Sequence, residues 1–209
     1  MYKRILLKIS GEALAGEKKT GINSEAVGEI CDRIKKISEK GIELGVVVGG
    51  GNFWRGRDSH DIERTTSDYI GMMATVMNAL AVRDSLETRG VDAVVLSALE
   101  MNTIAESYTK RKMEEYLKQG KVVIFSAGTG HPCFSTDTCA ALRAAEMNAE
   151  AILVAKTIDG VYSADPKVDS TAIKYDTISY DEVLNKNLRV MDLASTVICK
   201  ENNIPLVVF

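Results

Sequence analysis

Apolar and polar positions alternate along the chain with two different periods. Residues 3–9 form a short apolar run leading into Ser10-Gly11 and predict a buried strand. Residues 24–39 carry Val27, Ile30, Cys31, Ile34 and Ile37 at helical spacing, with Asn23 or Ser24 as N-cap and Gly41 just past the end. A second strand is predicted over 44–48, then a polar loop without periodicity over 52–64. From Thr66 to Arg89 a long helix is predicted, with Met72, Val76, Ala79, Leu80, Arg83 and Leu86 roughly on one side. Asp92–Leu96 reads as a third strand, 103–118 as a charged amphipathic helix closed by Gly120, and Lys121–Phe125 as a fourth strand. Asp137–Asn148 is a predicted helix and Ala151–Ala155 a fifth strand. A turn-rich segment over 159–166 precedes short helices near 180–186 and 192–202 and a strand over 205–209. This alternation predicts an α/β fold: a three-layer αβα sandwich with a central, mainly parallel sheet, in a single domain over 1–209.

Bulk properties narrow the class. The formal net charge of -3 over 209 residues gives no basic footprint for nucleic acid. No apolar run approaches a membrane span, and Lys8 interrupts the short apolar stretch at the N-terminus, so neither an anchor nor a signal peptide is expected. Cys31, Cys133, Cys139 and Cys199 form no CxxC pair; they read as reduced thiols of a cytoplasmic protein. Cys133, Cys139 and His131 match no zinc spacing.

The chemistry gathers at strand ends. Four strands run into Lys8-Ile9-Ser10-Gly11, Gly49-Gly50-Gly51, Ala127-Gly128-Thr129-Gly130 and Lys156-Thr157-Ile158-Asp159-Gly160. In an open parallel sheet ligands lie outside the carboxyl ends of the strands, and glycine lets backbone N–H groups close on an anion. Four such ends on one edge suit a long polyanion, such as a nucleoside triphosphate beside a second phosphate. Arg55 adds paired planar donors for phosphate oxygens. The Walker pattern and the dinucleotide GxGxxG are both absent, which excludes a P-loop enzyme and argues against a nicotinamide enzyme. Lys8 in a buried strand is either an edge residue reaching solvent or a cation aimed at a transferred phosphoryl group. Asp137 is either a first-turn carboxylate alone or, in addition, the group that holds Lys8 or a Mg²⁺.

At these residues the chain resembles the amino-acid-kinase superfamily and, within it, the bacterial uridylate kinases. The resemblance rests on YKRILLKISGEAL (2–14), GVVVGGGNFWRG (45–56), DYIGMMATVMNALAVRD (68–84), VVIFSAGTGHPCFSTDTCAALRAAE (122–146), DGVYSADPK (159–167) and RVMDLAS (189–195). It implies an amino-acid-kinase-like fold and transfer of a phosphoryl group from ATP to UMP, with Mg²⁺. It implies that Lys8, Ile9, Ser10 and Gly11 line the ATP phosphates, that Gly51 and Arg55 contact ATP, and that Tyr162 and Asp165 contact its nucleotide. UMP would be bound by Gly50, Asp68 and the loop of Thr129, Gly130, His131, Pro132, Cys133, Phe134, Ser135 and Thr136. Lys8, Arg55 and Asp137 would carry catalysis, Asp137 by organising the lysine. A homohexamer built as a trimer of dimers, UTP inhibition and GTP activation are further implications. Three features depart from the family. Where members usually carry Thr or Asn near the adenine, before Asp159, the local string is Lys156-Thr157-Ile158, and the adenine contact is left unassigned. The 16–21 loop lacks the Phe of the family's Gly-Phe-Gly. Members normally continue past Phe209 with a helix and a strand.

The residue chemistry fits such a transfer without a general base. A phosphate monoester has a second pKa near about 6 and is largely ionised at neutral pH. The obstacle is anion repulsion, which cations and backbone N–H groups relieve. Phe134 is expected either on the base or in the core. Two other readings stay open: an acylphosphate-forming kinase of the same superfamily, and a nucleotide-binding protein without catalysis.

Overall fold

The computed structural model describes residues 2–56, 61–156, 158–188 and 190–209. His60, Thr157 and Arg189, all within segments weighed above, lie outside the described residues.

Strand β1 (Arg4–Ile9) leads through α1 (Gly11–Ala15) and a 3₁₀ turn over Gly16–Lys18 into α2 (Ser24–Ser38) and β2 (Glu43–Val48). Then come α3 (Arg64–Glu87), β3 (Ala93–Ser97), β4 (Glu106–Ser107), α4 (Lys110–Lys118) and β5 (Val122–Ser126). The remainder is α5 (Thr136–Glu146), β6 (Ala151–Val154), a β7 (Val161–Tyr162) and β8 (Lys174–Tyr175) hairpin, α6 (Tyr180–Asn185), α7 (Leu193–Glu201) and β9 (Leu206–Val208). Among the described residues seven strands form one sheet in the order β4-β3-β5-β2-β1-β6-β9, and every pairing in it is parallel. The expected α/β sandwich with a parallel centre is the fold observed.

Strand alternation assigns the two faces. Ile5, Leu7 and Ile9 pack with Val46, Val48 and Ile124 against Val27, Cys31 and Ile34 of α2 and Val82 and Leu86 of α3. Leu6, Val47, Val123 and Phe125 face the other way, onto Met113 and Leu117 of α4, Ala140 and Ala144 of α5 and Cys199 of α7. Lys8 is two residues from Leu6 and therefore belongs to the α5 face. Its strand lies between β2 and β6, so the edge-strand reading of Lys8 is excluded.

Several boundaries differ from the sequence expectation. The helix expected over 103–118 starts at Lys110, because Thr109 accepts from the Lys112 N–H as its N-cap, 3.2 Å. Glu106–Ser107 is instead extended and pairs with β3. The short α1 was not foreseen: five residues give too little periodicity to read, although Ser10 caps it. Asn23, not Ser24, caps α2, accepting from the N–H groups of Glu25 and Ala26.

Leu6 is fully buried on the central strand. Leu6→Ala is expected to lower unfolding free energy by about 2–5 kcal/mol, read from urea denaturation.

Candidate active site

The carboxyl edge of the sheet carries two clefts that share a wall. The first, of about 810 Å³, is lined by Lys8, Ser10, Gly11, Gly49–Gly51, Asp68, Thr129, His131 and Cys133 through Asp137, among others. The second, of about 770 Å³, is lined by Arg55, Tyr162 and Asp165 and by the segments around them. Lys8, Ser10, Glu12, Lys156, Asn187, Leu188 and Val190 border both. Asp68, Thr129, His131 and Cys133–Thr136, expected at UMP, line the first cleft, and Arg55, Tyr162 and Asp165, expected at ATP, line the second, with the expected catalytic lysine between them; Gly11 and Gly51, also expected at ATP, border only the first.

Lys8 pairs with Asp137, Nζ to Oδ1 3.0 Å, with both side chains largely buried. Asp137 sits in the first turn of α5, whose N-cap Ser135 accepts from the N–H groups of Asp137 and Thr138. Asp137 therefore does more than cap a helix: the strand face of Lys8 and the helix start of Asp137 converge. Asp192 fastens that first turn from outside. It accepts from the hydroxyls of Ser135 and Thr138, the latter at 2.8 Å, and it N-caps α7 through the Ser195 N–H, 2.7 Å. Burial pushes the Asp192 carboxyl up, but these hydrogen bonds outweigh it and hold the group below the usual carboxylate range.

Lys156 is a second cation that the sequence reading left without a role. Its ammonium donates to the Val190 carbonyl on the shared wall. Burial pushes its pKa down; Asp137 opposes this and Lys8 adds to it. The signal was available in the lysine at the end of β6, but only the fold shows that it flanks the same Asp137.

Arg55 lies at the second cleft, its guanidinium bound to Glu12 at 2.5 Å. Asp68 is held by Arg64, 2.9 Å, and accepts from the Cys133 N–H, 2.7 Å. Phe134 is 55 % exposed beside the first cleft, which excludes a core role for it. Ile9 turns its side chain into the core, 3 % exposed, leaving only backbone for a ligand. Gly130 and Pro132 stand in the loop but do not border the cleft; a Cβ on Gly130 would lie 3.0 Å from the Ala98 carbonyl oxygen.

The glycine loop answers to packing as well as to ligand access. A Cβ on Gly50 would lie 2.7 Å from the Gly71 carbonyl oxygen, and one on Gly11 2.5 Å from Asn52 Oδ1. Three backbones meet here more closely than side chains allow.

The signature of the Amino acid kinase family extends over residues 3–209. The chain belongs to the amino acid kinase family. Among solved structures, it is similar to the UMP kinase from Ureaplasma parvum, with 39% identity and a TM-score of 0.96 over 100% of this chain and 90% of that one. It is also similar to the UMP kinase from Bacillus anthracis, with 38% identity and a TM-score of 0.96 over 100% and 87% of the two chains. The uridylate kinase from Archaeoglobus fulgidus is more distant, at 28% identity and a TM-score of 0.73 over 98% and 89%. The resemblance seen in the motifs, and with it the expectation of an ATP-dependent kinase, is borne out.

Removing the clamp on α5 tests its weight. Asp192→Ala is expected to cost about 2 kcal/mol of stability in urea unfolding, by loss of a cap and of charged hydrogen bonds.

Proposed function

We propose that this protein is a UMP kinase that transfers the γ-phosphoryl group of ATP to UMP, giving UDP and ADP for pyrimidine nucleotide synthesis. The observation that carries the reading is the pair of clefts meeting at Lys8, with the glycine loop on one side and Arg55 on the other. UMP takes the first cleft, between Gly50, Asp68 and the 129–136 loop. ATP takes the second, with Arg55 toward its phosphates, Gly51 meeting them from the first cleft, and Tyr162 and Asp165 toward its nucleoside.

An ionised oxygen of the UMP phosphate attacks the γ-phosphorus in line, and the bond to the β,γ-bridging oxygen breaks as ADP leaves. No side chain needs to take a proton, since the attacking oxygen is already ionised. Lys8 and Lys156 stand where charge on the transferred group must be balanced, and preorganised donors of this kind dominate such catalysis. Asp137 keeps the Lys8 ammonium aimed at the gap between the clefts. Arg55 exchanges its carboxylate partner Glu12 for phosphate oxygens.

The donor set fits Mg²⁺ arriving on the nucleotide. Among the described residues no group of three His, Cys, Asp or Glu side chains gathers as a cage. Glu12 on the shared wall and Asp137 beside Lys8 are, of the carboxylates that line the clefts, the two that would reach it. When bound, Mg²⁺ neutralises phosphate charge.

Among the described residues no helix is long and apolar enough to cross a membrane. A cytoplasmic homohexamer, a trimer of dimers inhibited by UTP, goes with this reading. GTP activation is the part least supported, since Phe is missing from the 16–21 loop.

A coupled assay with ATP and Mg²⁺ should give strong turnover with UMP, little with CMP, and none with aspartate or glutamate. Turnover with a carboxylate acceptor instead would move the protein to an acylphosphate-forming kinase, and UMP binding without turnover to a non-catalytic role. In the same assay Lys8→Ala should lower kcat by about 10²-fold or more.

The pH profile supplies a separate check. The Lys156 ammonium is needed charged, and its pKa is lowered from the ordinary 10.5. Turnover should therefore fall as pH rises through that lowered value. Lys156→Arg, charged throughout, should move the alkaline limb to higher pH; an unchanged limb would remove Lys156 from the chemistry.

A further inference from the structure

Helix α3 carries the ATVMN signature, which the site residues named so far do not use. Its side chains Asp68, Thr75 and Asn78 each hold a different piece of the carboxyl edge. Two non-glycine residues of the 127–135 loop have left-handed backbone, Ala127 at φ 59° and Cys133 at φ 71°. Each is pinned by α3: the Ala127 N–H donates to Thr75 Oγ1, 2.8 Å, and the Cys133 N–H to Asp68 Oδ2, 2.7 Å.

Asn78 holds the glycine loop. It is fully buried and Asn52 nearly so, 0 % and 2 % exposed. Their amides are bound reciprocally, Asn52 Nδ2 to Asn78 Oδ1 at 3.0 Å and Asn78 Nδ2 to Asn52 Oδ1 at 2.7 Å. The remaining N–H of Asn78 donates to the Gly49 carbonyl, 2.7 Å, and that of Asn52 to the Gly21 carbonyl, 2.7 Å. Every amide hydrogen of the pair has an acceptor. Flipping either amide would set oxygen against a carbonyl oxygen, so the two carbonyls dictate the orientation.

We infer that Asn78 is a positioning residue for phosphate binding, with Asn52 as its orienting partner. The reason is peptide planarity. The Gly49 carbonyl is drawn inward to Asn78. The N–H of Gly50 belongs to the same rigid plane and points the opposite way, and Gly50 borders the first cleft. Among the described residues neither Gly50 nor Gly51 has a protein acceptor for its N–H. Asn78 thus selects which face of a flexible glycine peptide meets the ligand. Glycines alone leave that choice open, and a hydrophobic residue at 78 would not make it. The inference rests on the proposed nucleotide chemistry for the identity of the ligand, but its geometry is independent of turnover.

The test compares Asn78→Ala with Val82→Ala, a fully buried position on the same helix that packs in the apolar core. At saturating ATP and UMP, Asn78→Ala should lower kcat by about 10²-fold, the loss expected from a misplaced donor. Val82→Ala should keep the wild-type kcat, whatever it loses in thermal stability. Wild-type kcat and KM in Asn78→Ala, or an equal loss of kcat in Val82→Ala, would overturn the inference. A second readout does not depend on catalysis. In ¹H–¹⁵N spectra of the wild type, the Gly50 or Gly51 amide should shift on adding UMP or ADP, and that shift should vanish in Asn78→Ala. Should Asn78→Ala not fold, Asn52→Ala removes the partner that orients the Asn78 amide, and the same shift should weaken. Amide shifts that persist unchanged in the variant would overturn the assignment. If the wild type gives these shifts without UMP-dependent turnover, the activity reading fails and the positioning role stands.

Discussion

A lysine in the middle of a parallel sheet has to be accommodated, and the rest of the site follows from how this is done. Lys8 is flanked by strands on both sides, so it has no edge from which to reach solvent sideways. Alternation along β1 sends it to the α5 face, one step short of the strand end. The neighbouring positions on that face are apolar, and burial of an unpaired ammonium there would be costly. Asp137 at the start of α5 supplies the countercharge at 3.0 Å. The pair lies at the point where the sheet edge opens, which leaves the ammonium directed at the seam between two clefts. A structural demand and, on the proposed reading, a catalytic one are met by the same contact.

That arrangement needs several backbones to meet at close quarters. The turns after β1, β2 and β5 and the first turn of α5 all converge near Lys8. Helix α3 and the segment leading into α7 fasten them from opposite sides: Thr75 and Asn78 from one, Asp192 from the other. These anchors are short polar side chains with few rotamers; Thr75 and Asn78 bond directly to backbone groups, and Asp192 accepts from the Ser135 and Thr138 hydroxyls. The glycines supply the clearance and the polar anchors supply the direction. Neither is sufficient alone, since glycine without an anchor is free to turn its peptide either way.

Much of this was legible in the sequence. Lys8 in an apolar run, the triple glycine after a β-branched run and the Asp137 helix start all carry local signals, and one fold principle places them on a common edge. The long helices were legible because their periodicity extends over many residues. What was missed depends on contacts distant in sequence. Lys156 becomes notable only beside Asp137 and Val190, and Glu12 only where it meets Arg55 from 43 positions away. The β7–β8 hairpin and β4 have two residues per strand, too few to show alternation. The start of α4 was misplaced because the charged residues before it fit a helix as well as an extended pair. Thr109 decided the matter through its backbone geometry, which composition does not reveal.

The claim on which the account depends is that two nucleotides meet at Lys8 from separate clefts. A crystal structure with a bisubstrate analogue, uridine and adenosine joined through a polyphosphate chain, tests it most directly. The account predicts the uridine beside Asp68 and the 129–136 loop, the adenosine beside Tyr162 and Asp165, and the polyphosphate crossing Lys8 and Lys156. Both nucleosides in one cleft, or a phosphate chain that bypasses Lys8, would contradict it.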